Sequence, residues 1–141
     1  MSAGAAGAMG GVLLALGVVA ASFVNDMATL VAASIAAAVL LYDGLSKRWP
    51  IAGPLNMGLC RALNLLLGVA AVPSVLAFRW PIAAIPLVYI TAVTALSRGE
   101  VRGGTRATAF AALTMIVPVL VALAALSLQP PEASAAALLL T

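Results

Sequence analysis

The chain has 141 residues, 65% of them hydrophobic and 8% charged, with a mean hydropathy of +1.20. A soluble domain carries about 25% charged residues, so this sequence cannot clothe a globular surface in polar groups and must use a bilayer as its solvent. Its formal charge of +3 comes without a basic stripe interleaved with aromatics, which excludes a nucleic-acid face, while the lack of histidine excludes imidazole chemistry.

At roughly 20 residues per span, the length accommodates about five or six transmembrane helices. The N-terminal MSAGAAGAMGG has no basic residue before its apolar run and reads as the start of a retained helix, not as a signal peptide. The first span is expected over 8–24, broken by Asn25 and Asp26. The second, Ala-rich, covers 27–42 and is short at about 24 Å. A polar loop follows from Asp43 to Pro54. The third span covers 55–72 and contains Arg61 and Asn64. Residues 73–79 form the next turn, the fourth span covers 80–96, and a second polar loop runs from Ser97 to Arg106. The fifth span covers 107–128, with Pro118 as a kink. After Gln129–Glu132, the closing ASAAALLLT reads as the start of a sixth helix. The fold class is therefore all-α, a polytopic membrane helix bundle. Ala, Gly and Ser crowd the first two spans, which permits close helix approach.

Counting turns places the N-terminus and both polar loops on one side of the membrane. That side receives Lys47, Arg48, Arg98, Arg102 and Arg106, and Arg61 opens toward it from one or two turns inside the third span; the opposite side receives only Arg79. The positive-inside rule makes the basic side cytoplasmic.

Chemistry-bearing residues concentrate in two stretches, 42–64 and 94–106. Arg61 and Asn64 are three apart, on one helix face. Polar groups inside a span are costly unless they meet a cavity or a partner. They either line a polar pocket, or Arg61 snorkels to the interface while Asn64 joins two helices. Gly53–Pro54 open the third helix and would bring backbone N–H groups to the same mouth, where a phosphate is favoured. Lys47 and Arg48 either assist there or face anionic headgroups. Glu100, between Arg98 and Arg102, is either ion-paired or part of a magnesium–diphosphate site, because a chain without histidine and with only Cys60 must bind metal through oxygen. Trp49 and Trp80 read as interface anchors. Asp26 reads as a turn residue.

The phrase LLYDGLSKRWPIAGPLNMGLCRALNLLLG resembles the UbiA superfamily of intramembrane prenyltransferases, in particular its EboC-like branch, and TAVTALSRGEVRGG resembles that branch's second acidic motif. The resemblance implies a bundle of about nine spans in the inner membrane, opening to the cytoplasm. It implies transfer of a prenyl group from a prenyl diphosphate, held through Mg2+, to an acceptor that the sequence does not identify. By this resemblance Tyr42, Lys47, Asn56, Arg61 and Asn64 bind substrate, and Ser97, Arg98 and Glu100 stand where the second acidic motif lies; in the diphosphate reading Arg98 and Arg102 take phosphate oxygens and Glu100 holds the metal. The family's first Asp-rich motif is not found, and its second is reduced to one acid. The chain is therefore expected to be an internal or truncated portion, inactive alone. Two alternatives stand beside the enzyme: a non-catalytic binder or transporter of prenyl-lipid-like molecules on the same scaffold, and a small membrane protein that forms a homo-oligomer through its Ala/Gly faces.

Overall fold

A computed structural model of the chain describes residues 2–101 and 106–127, all of them in helices or the short turns between helices. Helix α1 is Ala3–Ser22, capped by the Ser2 hydroxyl, which accepts from the Ala5 amide at 3.3 Å. Helix α2 is Asp26–Gly44. Its N-cap is Asn25, whose side chain accepts from the Ala28 amide at 2.7 Å, and Asp26 places a carboxylate in the positive first turn. A 3-10 turn at Ser46–Arg48 leads to α3, Ala52–Val69. Helix α4 is Pro73–Arg79, a 3-10 joint covers Trp80–Ala83, and α5 is Ala84–Val101. Helix α6 is Arg106–Ser127 and contains Pro118.

The long helices stand in single file. Among the described residues α1 packs on α2, α2 on α3, α3 on α5 and α5 on α6. The buried hydrophobic residues are alanines, apart from Val119. Small side chains let backbones approach, which is how helices associate where lipid removes the hydrophobic drive between them. One cluster, Ala21, Ala28, Ala32 and Ala70, joins α1, α2 and the end of α3. Helices α3 and α5 approach closely at Gly58. A Cβ added at Gly58 would meet the Thr91 hydroxyl and lie 2.5 Å from the Leu87 carbonyl oxygen.

Side-chain bonds fix both ends of the row. At one end Asn25 also donates to the carbonyls of Ala70 and Ala71, at 3.0 and 3.2 Å, so the α1–α2 turn is tied to the end of α3. At the other end Arg98 donates to the carbonyls of Trp49 and Lys47, both at 3.1 Å. The two polar stretches thus meet at one end of the helices, as turn counting requires.

Among the described residues, three helical runs are long and apolar enough to cross a membrane: Gly4–Ser22, Asp26–Gly44 and Pro73–Arg98. Helix α3 is not among them, because Asn56, Arg61 and Asn64 interrupt its apolar sequence. It is nevertheless the middle helix of the row, flanked by α2 and α5.

Three boundaries differ from expectation. The turn expected at 73–79 is helical, and the chain reverses at 70–72 instead. Pro73 takes the first helical position, where its fixed φ fits and its missing N–H is not needed. The loop expected from Ser97 is helical through Val101, because the Ser97 hydroxyl bonds back to the Val93 carbonyl at 2.7 Å without leaving the helix. The loop expected over 43–54 is confined to 45–51. Pro86 occupies the first turn of α5, where a proline is tolerated.

Candidate functional site

Helices α2 and α3 run antiparallel and enclose a cleft of about 260 Å³. Its α2 wall is Ile35, Val39 and Tyr42, at i, i+4 and i+7. Its α3 wall is Met57, Cys60, Arg61 and Asn64, at i, i+3, i+4 and i+7. Both spacings are those of a single helix face. Tyr42 lies two residues before the end of α2 and Met57 near the start of α3, so these form the rim at the polar end. Ile35 and Asn64 lie deeper, about 10 Å further along the helices at 1.5 Å per residue.

Of the residues expected at the site, three converge here: Tyr42, Arg61 and Asn64. Arg61 sits deeper than expected. Because α3 begins at Ala52, Arg61 lies about 14 Å along a helix of about 27 Å, near its middle and not one or two turns in. Its side chain is exposed to the cleft and has no acidic partner among the described residues. An arginine at mid-helix needs an anion, a cavity or water to offset its desolvation. The arrangement sets up to five guanidinium donors, a phenol and an amide against otherwise apolar walls. It suits a molecule with a hydrocarbon body and an anionic head.

The other expected residues form a different structure. Asn56 does not line the cleft. It is buried, and its Nδ2 donates to the Ala38 carbonyl at 3.0 Å and the Ser46 hydroxyl at 3.3 Å, which clamps the loop against both helices. Its Oδ1 is buried without a partner among the described residues. Arg98 likewise braces the loop from the end of α5, with its guanidinium over Gly53, and Lys47 pairs with Asp43 at 3.8 Å. A phosphate site on the first turn of α3 is not formed as expected. The Gly53 amide is spent on the Trp49 carbonyl at 3.1 Å, Pro54 has no N–H, and the Leu55 amide bonds Ile51 at 3.2 Å. Arg102 and the Glu100 side chain lie outside the described residues.

Among the described residues no three histidine, cysteine or acidic side chains gather. Asp43 is paired with Lys47, and Asp26 belongs to the opposite end of α2.

Sequence reading found Tyr42 but missed the rest of the α2 wall, Ile35 and Val39. Its signal was present: Ile35 is the one large side chain between Ala32 and Ala38, and it repeats with Val39 and Tyr42 on one face. It also missed the bridging role of Asn25, whose two bonds to α3 join residues 45 and 46 positions apart.

Comparison with protein-family models, curated proteins and solved structures finds no match for this chain.

Proposed function

We propose that this chain is a membrane scaffold of the UbiA prenyltransferase kind, whose α2–α3 cleft binds an isoprenoid lipid with an anionic, diphosphate-bearing head. The observation that carries this reading is the convergence of Tyr42, Arg61 and Asn64 on one cleft whose remaining walls are apolar. In this reading the hydrocarbon lies along Ile35, Val39 and Met57, and Arg61 takes the head. The row of helices is one portion of a bundle of about nine spans. The end bearing Lys47 and Arg98 faces the cytoplasm from the inner membrane, as the positive-inside rule orients it.

Prenyl transfer to an acceptor is the activity that the sequence resemblance implies, and magnesium belongs to that activity through Glu100. A second reading, a binder or carrier of such lipids without turnover, rests on the single acid, Glu100, in the counterpart of the second acidic motif.

The test uses the full chain in lipid nanodiscs and labelled farnesyl diphosphate. Loss of charge-assisted hydrogen bonds in Arg61→Ala is expected to weaken binding about tenfold or more, from roughly 1.5–3 kcal/mol per such interaction. Arg79→Ala, outside the cleft, is expected to leave binding unchanged. Equal effects of the two substitutions refute the cleft assignment. Adding magnesium and aromatic acceptors then separates the two readings: product supports transfer, and binding without product supports the carrier.

A further inference from the structure

The loop between α2 and α3 has its backbone tied inward and its side chains turned outward. Arg98 holds the carbonyls of Lys47 and Trp49, the Trp49 amide bonds the Ser46 carbonyl at 3.1 Å, and buried Ser46 bonds Asn56. Three large apolar side chains of this short loop remain uncovered: Leu45 is 65% exposed, Trp49 63% and Ile51 80%. Between them stand exposed Lys47 and Arg48. Asp43 offsets part of the Lys47 charge at 3.8 Å, and Arg48 has no acidic partner among the described residues. The turns at the opposite end, 23–25 and 70–72, expose Phe23 and Val72 but carry no cation.

We propose that loop 45–51 is a membrane-surface anchor that recruits anionic phospholipid headgroups to its end of the helix row. The exposed indole and aliphatic groups match the depth of the headgroup–acyl boundary, and the two cations match its acidic lipids. The bracing by Arg98 and Asn56 presents these side chains together without freezing a flexible loop at the moment of binding. The surface is separate from the α2–α3 cleft, since neither Lys47, Arg48 nor Trp49 lines it, so this proposal stands or falls independently of the lipid substrate.

The chain has two tryptophans, so Trp80→Phe leaves Trp49 as the only indole reporter. The full-length variant is reconstituted into phosphatidylcholine vesicles containing phosphatidylglycerol, with bromine on the acyl chains of one lipid or the other. Per mole of brominated lipid, Trp49 is expected to be quenched at least about fivefold more strongly by phosphatidylglycerol, the enrichment that about 1 kcal/mol from unpaired Arg48 produces. The preference is expected to fall as salt rises and screens the exposed charges, and to vanish in Lys47→Gln/Arg48→Gln. Equal quenching by both lipids, a preference insensitive to salt, or one retained in the double variant overturns the proposal. The salt series needs no loop substitution and decides the matter if the double variant does not fold. With Trp49→Phe and Arg79→Gln, Trp80 reports alone without a neighbouring cation and is expected to be quenched equally by both lipids; the same preference there removes the assignment to this loop.

Discussion

Replacing Gly58 by alanine tests the close packing of α3 against α5. The added methyl would meet the Thr91 hydroxyl and lie 2.5 Å from the Leu87 carbonyl oxygen, against the 3.4 Å or more of ordinary contact. Thr91 can turn away only by giving up its own bond to that carbonyl at 2.6 Å. Leu87 O is backbone and cannot turn, so the helices must part by about 0.9 Å at this point. Overpacking of this kind costs about 1–3 kcal/mol. The matched control is Gly68→Ala on the same helix, where an added methyl meets nothing within 4 Å. Both substitutions share the gain in helix propensity of roughly 1 kcal/mol, so their difference isolates the clash. That difference is expected to be about 1–3 kcal/mol, or roughly fivefold to 150-fold in the unfolding equilibrium constant, at tenfold per 1.4 kcal/mol. Unfolding in mixed micelles with rising dodecyl sulfate, followed by circular dichroism, measures it. Equal stability of the two variants refutes the close approach of α3 and α5.

Asn25→Ala removes a helix cap and two bonds to the end of α3, and is expected to cost about 1–3 kcal/mol; Asn25→Asp keeps the capping acceptor, loses the two donors, and should fall between wild type and alanine in the same unfolding assay. Arg98→Ala frees the carbonyls of Lys47 and Trp49 and is expected to speed amide exchange across 45–51 about fivefold, from roughly 1 kcal/mol of lost bonding at an exposed site, while amides in the middle of α2 keep their protection in the same exchange experiment.

Helices long and apolar enough to cross a membrane were legible in the sequence, because composition alone forbids a polar surface. The meeting of the two polar stretches was legible too: turn parity puts them on one side, and Arg98 bonding Lys47 and Trp49 is the physical form of that prediction. The roles inside that meeting were not legible. Asn56 and Asn64 are the same residue type on the same helix, yet one is a buried clamp and the other lines a cleft. Only the rotation of α3 against α2 distinguishes them, and an almost uniformly apolar chain carries little periodic signal to set that rotation. Helix ends at Pro73 and Ser97 misled for a related reason. Both residues favour turns in isolation, but proline suits a first helical position and serine can satisfy its hydroxyl inside a helix.

The single-file order of helices has a consequence for how the protein is made. Each long helix touches the one before it and the one after it along the chain, so nearly every tertiary contact joins near neighbours in synthesis order. Topologies of this kind form quickly, because little chain entropy is lost in closing each loop. A ribosome feeding this chain into a bilayer can therefore dock each newly inserted helix onto the last one delivered. Two side chains reach further: Arg98 on α5 bonds back to the Trp49 and Lys47 carbonyls, and the carbonyl partners of Asn25 at Ala70 and Ala71 emerge only after two further helices, so that Asn25 latches the first hairpin once α3 has arrived.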